Sequence, residues 1–317
     1  MIIIACWTGF SGYNSNKCDY SVNLKVVDIQ DQALFETSHG SDAFPFNIWL
    51  NLTSDIFVYC NYHKDIEIIY IQEGKASFGI NGTMYEASAG QALIINSEYI
   101  HTGRPVKGTF CSAYAIVFDL GMLAARHPGL CQDKYIAPFI NNELRFPGFI
   151  SGEHPWEAEI LDALSDIIDI FDNKTYGYEL KIIARLYTIL SEIISNRKYI
   201  VSEPDRCGNP VKLVQLKKAL KYIQENYSGK IQISELAREA NISRDHFYKI
   251  FKSMTGKTPV EYITVCRIRK ACHLLKTSEM SILETALAVG MEDVSFFIKT
   301  FKKFMGVTPK RYRRSQK

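Results

Sequence analysis

The chain lacks the short motifs that identify many enzymes. It has no glycine-rich phosphate loop, no Gly-x-Ser-x-Gly nucleophile turn and no His-Glu-x-x-His zinc pair. No apolar run approaches the about 18 residues that a membrane span needs. The apolar start, Met1–Trp7, has no basic region before it and fits a signal peptide poorly, so it is predicted to be an irregular start or a strand. We therefore expect a protein that is not an enzyme, has no catalytic residues and makes no membrane contact.

The spacing of the cysteines also indicates which kinds of site the chain does not form. The eight cysteines are scattered along the chain, and no two of them form a Cys-x-x-Cys pair. This spacing disfavours a zinc site built from thiolates and a disulfide framework. The cysteines are predicted to be small buried hydrophobes in a reducing compartment, which favours the cytoplasm and no bound cofactor.

Charge is distributed unevenly between the two ends of the chain. Residues 1–210 carry 15 Lys and Arg against 25 Asp and Glu, whereas residues 211–317 carry 22 against 9. The net charge of +3 for all 317 residues conceals this difference. A basic segment attached to an acidic body predicts that the C-terminal part binds a polyanion.

Apolar periodicity divides the chain into segments. Short β-branched runs separated by turns, among them the hairpin signal Asn81-Gly82, predict an antiparallel β-barrel or sandwich within residues 1–150. Two helical periods broken at residues 172–177 predict a helical hairpin within 151–200. One apolar stripe is expected to pack on the barrel, and a second, exposed stripe would make a dimer contact. Pro204, Gly208 and Pro210 predict a linker over residues 201–210, and helices fill residues 211–317.

The basic segment contains an internal repeat with a shift of about 50 residues. Phe247 and Phe251 recur as Phe297 and Phe301. The later residues Gly256, Thr258, Pro259 and Tyr262 recur as Gly306, Thr308, Pro309 and Tyr312. Each copy is predicted to be a helix, a tight turn and a second helix, with Ser243 and Asp293 as the N-caps of the second helices. A long helix over 260–276 separates the copies.

The second helix of each copy has an outward face that fits the major groove of B-DNA. We expect double-stranded DNA to be the partner, because the Phe pairs face the core and polar residues lie between them. The outward positions are Arg244, Asp245, His246, Tyr248 and Lys249 in the first copy and Val294, Ser295, Phe296 and Lys299 in the second. One turn further on, Lys252, Lys302 and Lys303 are predicted to neutralise phosphates.

This duplicated unit, residues 211–315, resembles the DNA-binding domain of the AraC/XylS family of transcription regulators. Phe301–Pro309 has the family's Phe-Lys-Lys-x-x-Gly-x-Thr-Pro pattern, and Gly290-Met291-x-Asp293 precedes it at the family's spacing. The resemblance implies seven helices with two helix-turn-helix units, a homodimer, and contacts with RNA polymerase that often activate transcription. It places base contacts at Asp245, His246, Tyr248 and Lys249, and at the four outward positions of the second copy.

A second resemblance concerns the predicted barrel. Asn61, His63, Asp65 and Glu67 alternate along one strand and therefore share a face. With His101 they resemble the two cupin motifs, in which histidines and a glutamate bind a metal ion. His63, Glu67 and His101 match three of the four ligand positions, whereas Asn61 replaces the first histidine and Asn96-Ser97-Glu98 replaces the Pro-x-Gly turn.

Three ligands could still hold a metal ion at His63, Glu67 and His101, but the resemblance to the regulator family implies a degraded cupin pocket that binds a small organic effector, such as a sugar or another metabolite. A purely structural hydrogen-bonding role and an empty vestigial pocket are the other interpretations. The residues predicted to line an effector site are Trp49, Tyr59, Asn61, His63, Glu67, Tyr70, Phe78 and His101.

The predicted fold class is α+β and multidomain, with a cupin-like antiparallel barrel and helical hairpin followed by an all-α domain with two helix-turn-helix units. The predicted function is effector-controlled, sequence-specific regulation of transcription. One alternative is a metal-dependent cupin enzyme, an oxygenase or isomerase, with an accessory DNA-binding module. Another is a constitutive DNA-binding protein whose barrel only dimerises.

Overall fold

The computed structural model describes residues 40–41, 43–53, 58–107, 109–125, 127, 129–202 and 210–315. The interpretation of Met1–Trp7, the strands expected before residue 40 and most of the predicted linker (203–209) lie outside these residues. None of the described helices is long and apolar enough to span a bilayer.

Two antiparallel sheets form the described part of the N-terminal half. The first has the strand order β1-β8-β3-β6-β10, and the second has the order β2-β7-β4-β5. A short pair, β11-β9, lies apart from both sheets. The strands are β1 Phe46–Thr53, β2 Val58–Asn61, β3 Ile66–Glu73, β4 Lys75–Ile80, β5 Thr83–Ser88, β6 Ala92–Ile95, β7 His101–Pro105, β8 Cys111–Phe118, β9 Leu144–Arg145, β10 Phe149–Ile150 and β11 Ile200–Val201.

The predicted hairpin at Asn81-Gly82 is confirmed. These residues join β4 to β5 and have φ values of 48° and 89°, as the two central positions of a type I′ turn require. The turn fixes the register in which Phe78 lies opposite Tyr85. It thereby sends Phe78 into the space between the two sheets, where it is fully buried.

Alternation along β3 gives the sheet two buried faces. Ile69 and Ile71 pack between the sheets, whereas Ile66 and Ile68 pack under the helical hairpin. A strand buried on both faces has a continuous apolar sequence, as Ile66–Ile71 does, apart from Glu67. Glu67 falls on the inner face, since it lies two residues before Ile69.

Helix α1 Ala137–Ile140 lies between β8 and β9, whereas α2 Pro155–Asn173 and α3 Tyr178–Ser195 follow β10. The amphipathic faces of α2 and α3 pack on the first sheet through residues such as Ile160, Leu164 and Leu186. The hairpin reverses through Lys174 and Gly177, which both have positive φ. The prediction that the hairpin packs on the sheets is therefore confirmed.

Seven helices form the C-terminal half: α4 Pro210–Asn226, α5 Ile233–Glu239, α6 Arg244–Thr255, α7 Pro259–Thr277, α8 Ile282–Ala288, α9 Val294–Met305 and α10 Pro309–Ser315. The first part of α7 packs with α4, α5 and α6, and its second part packs with α8, α9 and α10. Gly256 and Gly306 end α6 and α9 in the left-handed conformation. The predicted repeat and the α+β fold class are confirmed.

Two local predictions have different outcomes. The Asp293 side chain accepts the backbone N–H of Phe296 at 2.9 Å and caps α9 as expected. Ser243 occupies the N-cap position of α6, but its side chain makes no capping hydrogen bond. The cysteine prediction is also mixed, because Cys111, Cys266 and Cys272 are buried whereas Cys131 is exposed.

Candidate functional site

Helix α6 presents a polar face to solvent. Its Phe247 and Phe251 are buried in the core that α4, α5 and α7 share, and Ile250 is also buried. The outward positions from the sequence are all exposed: Arg244, Asp245, His246, Tyr248, Lys249 and Lys252. This face offers cationic side chains and the hydrogen-bonding aromatic rings of His246 and Tyr248, which can contact base edges and phosphates.

Helix α9 presents a less polar face. Phe297 and Phe301 are fully buried, whereas Phe296 is 56% exposed. Ser295, Lys299, Lys302 and Lys303 are also exposed. Val294 differs from its prediction, because its side chain is half-buried and packs against the core of the second helix-turn-helix unit. The cations Lys302 and Lys303 lie in the last turn of α9, where they also complement the helix dipole.

Helix α7 sets the spacing between the two units. It has 19 residues and runs from the core of α6 to the core of α9. At 1.5 Å per residue, it is about 28 Å long. Two recognition helices on one face of a duplex need a separation of about 34 Å, so α7 has a suitable length.

The inner face of the sheets carries a buried polar group made of His63, Glu67 and His101. Glu67 Oε2 lies 3.0 Å from His63 Nε2 and 3.1 Å from His101 Nε2. Each Nδ1 atom lies 3.0 Å from a backbone carbonyl oxygen, that of Asp65 for His63 and that of Tyr99 for His101. All three side chains are almost fully buried, and among the described residues they are the group that could hold a metal ion.

Glu67 is held as a carboxylate. Burial alone would raise its pKa, but positive charge on His101, and then on His63, outweighs burial and holds the pKa well below its usual range. A buried carboxylate whose neighbours favour the charged form can bind a cation or accept hydrogen bonds. Asn61 is buried and lies directly across the β2–β7 ladder from His101.

The other residues predicted to line the effector site do not all lie on the inner face of the sheets. Trp49 lies opposite Ala115, which packs between the sheets, so Trp49 belongs to the inner face. Phe78 fills the interior with its ring against the backbone of Gly103, since a Cβ there would lie 2.3 Å from Phe78 Cε1. The prediction for Tyr70 is wrong, because Tyr70 packs toward the helical hairpin on the outer face. The side chain of Tyr59 is outside the described residues.

The loop 96–100, between β6 and β7, joins this polar group to the C-terminal half. The backbone N–H of Glu98 donates to the carbonyl of His63 at 2.7 Å, and the Glu98 carboxylate lies 3.8 Å from Lys217 Nζ of α4. Ile100 belongs to the same buried cluster as Leu213 and other residues of α4. Sequence analysis missed this docking, because nothing in the loop's own pattern indicates a partner more than 100 residues away.

Arg145 extends this connection toward the predicted linker. Its guanidinium lies 4.9 Å from the centre of the Tyr99 ring, and its Nε donates to Ser202 Oγ at 2.9 Å. Ser202 precedes the undescribed residues 203–209. The loop 96–100 therefore contacts α4 directly, and it is connected through Arg145 to the start of the segment that leads to α4.

A cavity of about 600 Å³ lies between the two halves. Its walls include Ile100, Thr102 and Arg104 from the barrel and Leu213, Met254 and Lys257 from the helices. The expected pocket was inside the barrel, whereas this one lies outside the second sheet. An occupant would contact both halves of the chain.

Comparison with known proteins assigns both halves. An AraC-like ligand binding domain model matches residues 53–190, and a helix-turn-helix domain model matches residues 236–315. The uncharacterized HTH-type transcriptional regulator YdeC of Bacillus subtilis (strain 168) is 27% identical over 288 residues, which are 90% of this chain and 97% of that protein. The Msm operon regulatory protein of Streptococcus mutans is 29% identical over 136 residues, 43% of this chain and 48% of that protein.

A solved structure is also similar. The crystal structure of unsaturated fatty acid bound wild-type ToxT from Vibrio cholerae has 17% identity and a TM-score of 0.42, and the match covers 84% of this chain and 94% of that chain. The two domain models match the sheets and the paired helix-turn-helix units in the order in which the chain contains them. The chain belongs to the AraC family of DNA-binding transcription regulators and has that family's ligand-binding domain.

Proposed function

We propose that α6 and α9 enter successive major grooves on one face of a duplex. The observation that carries this proposal is the pair of 12-residue helices, each with a buried Phe pair and an exposed outer face, held apart by α7. The base contacts fall on the exposed side chains of each helix. Lys252, Lys302 and Lys303 contact phosphates.

The two recognition helices contribute differently. Arg244, His246 and Lys249 of α6 can donate hydrogen bonds to base edges. In α9, Phe296 and Ser295 offer fewer such groups, so this helix adds affinity through phosphate contacts and shape-dependent fit. Base preference is therefore expected to be sharper beneath α6 than beneath α9.

The barrel is the sensor of this regulator. An effector at the polar group of His63, Glu67 and His101 would change the loop 96–100 and hence its contact with α4. A switch of this kind needs an effector that binds two arrangements of the halves with different affinity. Trp49, Asn61 and Phe78 belong to the same inner region, whereas Tyr70 does not.

The proposed domain boundaries follow from this division into a sensor and a DNA-binding part. We assign residues 1–150 to the sensor barrel, 151–200 to a hairpin that dimerises, 201–210 to a linker and 211–317 to DNA binding. Leu180 of α3 is 72% exposed and supports a role of this hairpin in a homodimer. Bound at a promoter in the cytoplasm, the dimer contacts RNA polymerase and activates transcription, with no catalytic activity of its own.

Selection from a random duplex pool tests this function. The full chain should enrich sites with two preferred blocks about 10 base pairs apart, as two helices on one face require. Repeating the selection with cell-extract metabolites tests effector control. Lys75→Ala, an exposed change on β4, is the matched control and should select the same sites. A folded chain that enriches no sequence at low salt would overturn the proposal.

A further inference from the structure

We propose that His63, Glu67 and His101 bind a divalent first-row transition metal ion, and that this ion is the effector of the regulator. This inference deepens the proposed function and rests on it for the regulatory part. The sequence favoured an organic effector, because one histidine of the cupin pattern is missing. Three features of the structure support a metal ion instead.

The first feature is the orientation of the two imidazoles. A carbonyl oxygen only accepts hydrogen bonds, so each Nδ1 that lies 3.0 Å from one carries the hydrogen. In a neutral ring, the Nε2 atoms of His63 and His101 then present lone pairs toward the Glu67 carboxylate. Lone pairs do not attract a carboxylate, but they form a ligand set for a cation. An Nδ1–H bonded to a carbonyl is also the usual outer support of a histidine that binds metal.

The second feature concerns His101. Its Nε2 is buried and has no hydrogen-bond partner among the described residues, although Glu67 Oε2 is only 3.1 Å away. A buried nitrogen without a hydrogen bond is costly unless another ligand satisfies it. Two imidazolium ions beside one carboxylate would instead leave an excess positive charge in the interior, which is also costly.

The third feature is the spacing of the ligand atoms. Two ligands at about 2.1 Å from a metal ion and about 90° apart are separated by about 3.0 Å. Glu67 Oε2 lies 3.0 Å and 3.1 Å from the two Nε2 atoms, which matches adjacent positions of an octahedral ion. Two imidazoles with one carboxylate suit iron, cobalt, nickel, manganese or zinc, whereas magnesium and calcium prefer oxygen ligands.

Both histidines are bonded to the loop that docks on α4. The His63 carbonyl accepts the N–H of Glu98, and His101 Nδ1 donates to the carbonyl of Tyr99. Glu98 has a φ of 60°, a left-handed conformation that costs energy for a residue with a side chain. A shift of the His101 imidazole or of the His63 backbone is therefore transmitted to a loop already held in an uncommon conformation. From there it reaches Lys217 and the cluster around Ile100.

The binding test uses the full chain after removal of metals with a chelator. Titration with Zn²⁺ should show one site per chain by calorimetry, and Co²⁺ should give an absorption spectrum characteristic of nitrogen and oxygen ligands. Glu67→Gln and His101→Ala should lose this binding. His154→Ala and His273→Ala, which change exposed histidines, should retain it. No stoichiometric binding of Zn²⁺, Co²⁺, Ni²⁺ or Mn²⁺ by the unmodified chain would overturn the proposal, whether or not the variants fold.

The regulatory part is tested with a duplex selected by the metal-free chain. Saturating Zn²⁺ should change the affinity of the unmodified chain for this duplex at least about fivefold, the lower end of ordinary coupling between sites. It should leave the affinity of Glu67→Gln unchanged. Stoichiometric binding without a change in DNA affinity would overturn the effector assignment. DNA binding by the metal-free chain is measured separately, so a failed metal proposal leaves the assignment of α6 and α9 standing.

Discussion

Tyr62 donates a hydrogen bond from its hydroxyl to Oε1 of Gln224 over 3.3 Å, although 162 residues separate the two in the chain. Tyr62 lies next to His63 of the buried polar group, and Gln224 lies in α4. This bond and the Glu98–Lys217 ion pair flank Ile100, so the sensor and the DNA-binding half share a polar and apolar interface.

Tyr62→Phe removes only the hydroxyl. A single hydrogen bond contributes about 0.5–1.5 kcal/mol net, so stability should fall by no more than that. Amide hydrogen exchange should become faster in α4, because its docking weakens. Tyr176→Phe changes a fully exposed hydroxyl and is the control. Unchanged exchange in α4 would show that the bond does not help to hold the two halves together.

Lys249→Ala removes a cation from the outer face of α6. If Lys249 contacts a base edge, the change should cost about 1–3 kcal/mol in binding and relax preference at one or two base pairs. Binding to a set of single-base variants of a selected site measures both effects. Equal weakening on every sequence would instead assign Lys249 to a phosphate.

Lys302→Ala removes a cation from the last turn of α9. A lost phosphate contact should weaken binding on all sequences alike and reduce the slope of log affinity against log salt by about one unit. Titrations at several salt concentrations measure this slope, with exposed Lys75→Ala on β4 as the control. A slope equal to that of the unmodified chain would remove Lys302 from the interface.

Phe297 and Phe296 are adjacent but face opposite ways. Phe297→Ala should lower the free energy of unfolding by about 3–5 kcal/mol, because it empties part of the second core. Phe296→Ala should change stability by less than about 0.5 kcal/mol and weaken DNA binding. Denaturant unfolding and duplex binding of both variants separate the two roles. Equal losses of stability would mean that Phe296 is also a packing residue.

Glu157 links stability to pH at the start of α2. Burial alone would raise its pKa, but hydrogen bonds from Ser151 and His154 outweigh burial and lower it. A lowered folded-state pKa stabilises the fold above the unfolded value of about 4.3, and this stabilisation is lost as the pH falls through the folded-state pKa. Glu157→Gln should therefore reduce stability near neutral pH more than in acid. Urea unfolding across this range measures the difference, with exposed Glu153→Gln as the control.

The paired helix-turn-helix units could be predicted because their signals are local. Phe247 and Phe251 recur as Phe297 and Phe301 at helical spacing, and glycines end both recognition helices. Such patterns need no knowledge of distant contacts. The hairpin turn at Asn81-Gly82 was predictable for the same reason, since both positions need positive φ.

The candidate site was only partly predictable. Alternation grouped His63 with Glu67, the cupin resemblance added His101, and the structure brings the three side chains together. Tyr70 was misplaced, because it lies three residues after Glu67 and therefore on the opposite face of β3, which packs under the helical hairpin. The docking of the loop 96–100 on α4 depends on tertiary contacts that leave no periodic signal.

Burial of Ile100 against α4 limits where the chain can be cut into separate fragments. Only 4% of its surface is exposed, and it shares a buried cluster with Leu213 and Leu216 of α4. A cut in the segment before α4 would leave an apolar protrusion on one fragment and an uncovered apolar hollow on the other. Both fragments would tend to self-associate, so a biosensor engineered from the N-terminal fragment alone would first need a polar side chain at position 100.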